Sequence, residues 1–135
     1  MKALFVDTAG WMMLADAAEP KHAAAKRVRD QWLEKSGVLV SSDYVLDEIL
    51  TLLRFRLGLT AAESWWRTVE SSPRVVWEWI DPARSEKARE WFFRWKDKEF
   101  SHTDCTSFVV MRERRIKVAL TSDQHFVQAG FEKRP

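Results

Sequence analysis

Four acidic residues sit where the surrounding sequence is apolar. Asp7 ends the apolar run at residues 2–6 (KALFV), and Asp123 follows the run at 117–120 across Thr121 and Ser122. Asp104 lies between Thr103 and Cys105, at the lip of a stretch that stays apolar through Val110 and Met111. Glu48 shares helical spacing with Tyr44, Val45, Leu52 and Phe55, whereas Asp43, Asp47, Thr51 and Arg54 form a separate polar stripe that reads as the solvated face. A carboxylate on an apolar stripe needs a partner or a cation, because burying it bare is costly. Glu48, not Asp47, is therefore the candidate on that helix.

Each acid taken singly has a structural reading. An acid just after a strand often caps the next helix, and Ser101-His102-Thr103-Asp104 has the spacing of a capping box. Taken together they point to chemistry. No lysine or arginine adjoins them in sequence except arginines well along the helices, and carboxylates drawn together raise one another's pKa. A hard divalent cation relieves that conflict, and an all-oxygen donor set suits Mg²⁺ or Mn²⁺. On a phosphate substrate such an ion polarises the phosphoryl oxygen, activates a water and stabilises the leaving oxygen. His22, His102 and His125 lack a zinc-like spacing and read as ordinary.

The elements that must position these acids alternate. Strands are expected at 2–6, 38–40, 75–80 and 117–120, with a fifth at 130–133. Helices are expected at 8–14, at 21–35 with Ala24, Val28, Trp32 and Leu33 facing inward, and from a cap at Ser41 or Ser42 to about Leu57. Gly58 ends that helix and Thr60 starts another, through about Glu70. Further helices run from Asp81-Pro82 to about Lys96, over 103–114 and over 123–129. This order predicts an α/β fold, a three-layer α/β/α sandwich around a mainly parallel sheet of four to five strands. Ligands bind beyond the carboxyl ends of such strands, where Asp7 and Asp123 fall.

The whole chain, 1–135, reads as one domain, since 135 residues leave no room for two. Net charge is +2, too mild to announce nucleic acid by itself. The single Cys105 excludes an internal disulfide and a cysteine-rich zinc site, and no apolar run reaches the ~20 residues of a membrane span. A reducing cytoplasm is the expected location. Eight tryptophans are the compositional oddity. Trp11 reads either as core or as lining for the groove beside Asp7. Trp65 and Trp66, adjacent on one helix, are not expected to face the same core, and Trp91 with Trp95 reads as a core stripe.

With those residues in view, the chain resembles the PIN-domain nucleases, and most closely the VapC-type ribonuclease toxins of toxin–antitoxin pairs. The resemblance rests on FVDTAGW, VLDEILTLL, FSHTDCTSFVVMRE and ALTSDQHFVQAGF in that order and spacing. It implies a Mg²⁺- or Mn²⁺-dependent endoribonuclease whose acidic quartet corresponds to Asp7, Glu48, Asp104 and Asp123. Thr8, Ser101 and Thr121 fall where the family carries small polar residues that support the acids. It also implies an RNA substrate, a VapB-like antitoxin laid across the groove, and a homodimer.

Other readings are weaker. A haloacid-dehalogenase-type phosphatase requires a second Asp where Ala9 stands, and a receiver domain requires an acid pair and a late lysine that are missing. An RNA-processing nuclease outside a toxin–antitoxin pair, or a PIN fold kept only for binding, share the same pattern. Positive charge for RNA would come from Arg54 and Arg56, or from the cluster Arg112, Arg114, Arg115 and Lys117; the bland reading of such a run is a solvated face.

Overall fold

Alternating apolar runs and amphipathic stretches become five strands and seven helices in the computed structural model, which describes residues 2–135. In chain order these are β1 (Ala3–Val6), α1 (Thr8–Ala15), α2 (His22–Glu34), β2 (Val38–Ser42), α3 (Asp43–Leu57) and α4 (Leu59–Glu70). There follow β3 (Val75–Glu78), α5 (Pro82–Arg94), α6 (His102–Glu113), β4 (Val118–Leu120), α7 (His125–Gln128) and β5 (Glu132–Arg134). Local chemistry sets the helix starts. Asp7 caps α1, Ser42 caps α3, and Asp81 caps α5 with Pro82 at its first position. At α6, Ser101 and Asp104 satisfy each other's backbone N–H in a reciprocal capping box. Among the described residues, no helix is long and apolar enough to cross a membrane.

The five strands form one sheet in the order β3-β2-β1-β4-β5, and every pairing is parallel. Phe5 of β1 stands beside Val40 of β2 on one side and Ala119 of β4 on the other. The chain winds outward from β1 to β3, then returns to build β4 and β5 on the other side. Right-handed crossovers place the helices of those two windings on opposite faces, which gives the three layers. The direction of winding reverses between β1 and β4. In sheets of this kind a ligand crevice opens at that switch point, beyond the carboxyl ends of the strands.

The core fills with aromatics. Phe5, Phe108 and Phe126 are fully buried, with Phe108 edge-on to Phe126 at 5.1 Å and to Phe100 at 5.1 Å. Trp11 belongs to this interior. It is 2% exposed, stacks on Trp77 at 5.7 Å, and donates from Nε1 to Ser41 Oγ, which in turn donates to the Val6 carbonyl. Trp65 and Trp66 both reach the same cluster, Trp65 edge-on to Trp11 and Trp66 against Trp77. The expectation that they could not share a core is corrected: long indoles on adjacent positions span the angle between them. Trp91 and Trp95 pack at 5.6 Å, as the stripe predicted.

Several boundaries shift. The third strand ends at Glu78 and the last begins at Glu132, two residues later than expected, while the final helix starts at His125 rather than Asp123. Ala25 rather than Ala24 is the buried residue of α2, in phase with Val28 and Trp32. Phe55 is 79% exposed, because the last turn of α3 runs past the material that covers its earlier turns.

Gly10 in α1 marks the closest approach of a helix to the sheet. A Cβ there would lie 2.1 Å from the Leu120 carbonyl oxygen and 3.0 Å from its carbon, backbone atoms that no rotamer change can clear. Gly→Ala inside a helix ordinarily stabilises by about 1 kcal/mol. Here the expected sign is opposite: Gly10→Ala should destabilise by about 1–3 kcal/mol or more in urea unfolding. A variant as stable as wild type would contradict the close approach.

Candidate active site

Strand β1 delivers Asp7 and β4 delivers Thr121 and Asp123 to the same edge, on either side of the switch point. Asp7 is 8% exposed. Its Oδ1 accepts the Gly10 N–H at 2.8 Å, and its Oδ2 accepts the Thr121 hydroxyl at 2.6 Å. Thr121 Oγ1 also accepts the Asp123 N–H at 2.9 Å, so one hydroxyl joins the two acids. Helix α6 brings Asp104 to the same point by its N-terminus, where the partial positive charge of the helix end favours a carboxylate.

Asp104 thus has both roles open to it in sequence: it caps, and it faces the other acids. Its Oδ2 accepts the Ser101 N–H at 3.0 Å and lies 2.9 Å from His125 Nδ1. That same nitrogen is 3.3 Å from Asp123 Oδ1, which also accepts the His125 N–H. One atom from each of Asp104, Asp123 and His125 can be chosen so that all lie within 4.8 Å, a spacing able to hold a metal ion. The donors are mainly carboxylate oxygens, as hard divalent cations require. His125 is the residue that sequence reasoning passed over as ordinary. The signal lay in its place two residues after Asp123, where an Asx-type turn brings the ring back to that acid.

Glu48 enters from α3 and accepts the Thr8 hydroxyl at 2.6 Å. It faces the cavity and Asp47 does not. The premise of burial is corrected, however: Glu48 is exposed, because the turn of α3 that carries it borders an open cavity rather than the core. That cavity, about 470 Å³, is lined by Asp7, Glu48, Asp104 and Asp123 with Thr8, Ser101 and His125. Two larger hollows contain none of these acids. Arg56 is on the cavity wall, paired to Glu19 at 3.4 Å, whereas Arg54 lines a different hollow. Among the described residues, no lysine or arginine forms an ion pair with any of the four acids.

Burial pushes the Asp7 carboxyl up from 3.8 to about 7, and the nearby Asp123 and Asp104 push the same way. The hydrogen bonds from Thr121 and Gly10 oppose that rise without cancelling it. The folded state therefore holds this proton more tightly than the unfolded chain does, and ionising it costs stability. The cost is absent below about pH 4, grows between 3.8 and about 7, and is complete above that. In chelator, Asp7→Asn should be more stable than wild type at pH 8, and its advantage should shrink steadily toward pH 5. Urea unfolding at both pH values checks this; a pH-independent difference would show that the carboxyl carries no such strain.

Comparison with known proteins agrees with this geometry. The PIN domain family model matches residues 4–132. The 23S rRNA-specific endonuclease VapC20 of Mycobacterium tuberculosis is 39% identical over 133 residues, 98% of each chain. Ribonuclease VapC26 of the same species is 29% identical over 126 residues, 91% of this chain and 89% of that one. The crystal structure of VapC20, described as a sarcin-ricin loop cleaving toxin, superposes with a TM-score of 0.87 over 98% of this chain and 99% of that one. FitAcB of Neisseria gonorrhoeae, at 13% identity and a TM-score of 0.68 over 98% and 96%, shares the fold. With its acids gathered at the switch point of a parallel sheet, the chain belongs to the PIN-domain family.

Proposed function

We propose that this protein is a divalent-metal-dependent endoribonuclease, the toxin of a toxin–antitoxin pair, and that it cuts a structured ribosomal RNA. The observation that carries this reading is the convergence of Asp7, Asp104 and Asp123 beyond the ends of β1 and β4, with Glu48 across the same cavity. The name and description of VapC20, which specify 23S rRNA and the sarcin-ricin loop, support the choice of substrate. The reading includes a VapB-like antitoxin, a homodimer and a cytoplasmic location. The exposed apolar side chains of Phe55, Leu57, Leu59, Phe92 and Phe93 support such partners.

In this reading Asp7, Glu48, Asp104 and Asp123 hold Mg²⁺ or Mn²⁺. A bound ion of this kind polarises the scissile phosphoryl group and makes a water acidic enough to attack at neutral pH. The chain's own groups orient the ligands. Thr121 fixes Asp7 relative to Asp123, Thr8 holds the exposed carboxylate of Glu48, and the Ser101 backbone holds Asp104 at the helix end. Asp7 must surrender its proton to serve, so cation affinity rises with pH up to about 7 and levels off above it.

Two experiments test this. Glu48→Gln and Asp104→Asn should each lower cleavage of a structured RNA at least tenfold, while Asp47→Asn stays near wild type. An asparagine amide oxygen can still accept the Ser101 N–H that Asp104 accepts in the capping box, so Asp104→Asn should lose activity with little loss of stability. Full activity in the Asp104→Asn protein would remove that residue from the site. Separately, millimolar Mg²⁺ or Mn²⁺ should raise the melting temperature, by an amount worth about 2.7 kcal/mol at a hundredfold excess over Kd. The rise should fade as pH falls below 6, and a melting temperature indifferent to both ions would refute a preformed site.

A further inference from the structure

The acid cavity poses an electrostatic problem for its own substrate. A polyanion approaches a site of four carboxylates where Arg56 is already paired to Glu19. Even with a cation held there, the cavity offers a polyanion little attraction of its own, and the cluster at Arg112–Lys117 takes no part in it.

That cluster opens onto a hollow of about 810 Å³ at the amino edge of the sheet, where Lys2 precedes β1 and Lys117 precedes β4. Lys2, Arg112, Lys117 and Arg134 line it around Trp32. The one acid in its lining, Glu132, is taken by Arg134 at 2.8 Å. Lys2, Arg112 and Lys117 form no ion pair with a carboxylate among the described residues. Lys2 Nζ stands 4.5 Å and Arg134 Cζ 5.3 Å from the centre of the same indole ring. Like charges are thereby held within about one Debye length of each other, ~10 Å at 0.1 M salt. Trp32 is 3% exposed, and its buried Nε1 lacks a hydrogen-bond acceptor. Cations crowded around an open hollow call for an anion rich in oxygen.

We propose that this amino-edge hollow is a second RNA-binding site, which takes backbone phosphates of a folded RNA at a distance from the bond that is cut. The proposal rests on the ribonuclease reading. Asp7 and Lys2 lie at opposite ends of β1, about 16 Å apart at ~3.3 Å per residue. A folded RNA presents phosphates on many sides and can meet both edges, whereas a short single strand in the cavity cannot.

The test uses the full chain carrying Arg112→Gln with Lys117→Gln, and Lys117→Ala alone as a milder variant. Lys26→Gln with Arg27→Gln, on the exposed side of α2, is the charge-matched control. In chelator, binding of a structured ribosomal RNA fragment is measured against salt. Each phosphate that a variant no longer neutralises should flatten the slope of log K against log salt by roughly 0.7–0.9. The double variant should therefore bind at least tenfold more weakly with a slope lower by one to two, and Lys117→Ala should show about half of this. With metal, the double variant should raise KM for the structured RNA without lowering kcat, and should cleave a short single-stranded oligonucleotide as wild type does. Unchanged affinity and slope, or an equal loss in the control, overturns the second site while leaving the nuclease reading intact. A wild-type protein that cleaves neither RNA overturns the reading beneath it as well.

Discussion

The hydrogen bond from Thr121 to Asp7 ties the first strand to the fourth, and the rest of the site is arranged around it. It closes the switch point of the sheet, buries a carboxylate and, through the Asp123 N–H, sets the position of a second acid. Asp7 does this while also capping α1, and Asp104 completes the capping box that Ser101 opens on α6. The acids therefore stand on helix ends, whose N–H groups partly offset the repulsion that gathering them creates. Burial outweighs that offset, and with a smaller push from Asp123 and Asp104 it raises the Asp7 carboxyl to about 7.

Much of this was legible in the order of residues, because the signals are local. Apolar runs that end in an acid became β1 and β4 with Asp7 and Asp123 at their carboxyl edge. Ser42, Asp81-Pro82 and Ser101-Asp104 announced helix starts that the structure bears out. Helix phase turned Glu48 rather than Asp47 toward the cavity, although the reason first given, burial, does not hold. Phase says which way a residue points. It does not say whether core or open space lies in that direction, and the same gap left Phe55 on the surface.

What stayed hidden is what depends on distant returns of the chain. His125 meets Asp104 across 21 residues, through the turn at Asp123 and the packing of α6 against α7, and no periodicity encodes that meeting. The tryptophans are a second case. Trp11, Trp65, Trp66 and Trp77 come from three separate elements, and only the fold shows that they form one cluster beneath the first helix. That cluster, with Trp11 hydrogen-bonded to Ser41 at the end of β2, supports the stretch of backbone that carries Asp7.

The same long reach between Asp7 and Thr121 has a bearing on synthesis. A ribosome adds about 5–20 residues per second, so on the order of ten seconds separate the appearance of Asp7 from that of Asp123. Throughout that interval the emerging chain has a first strand without its fourth, and a carboxylate without the hydroxyl that seats it. The growing polypeptide cannot assemble the acid cluster while most of it is being made. Until Thr121 and Asp123 have left the ribosome, the chain has no complete acid cluster.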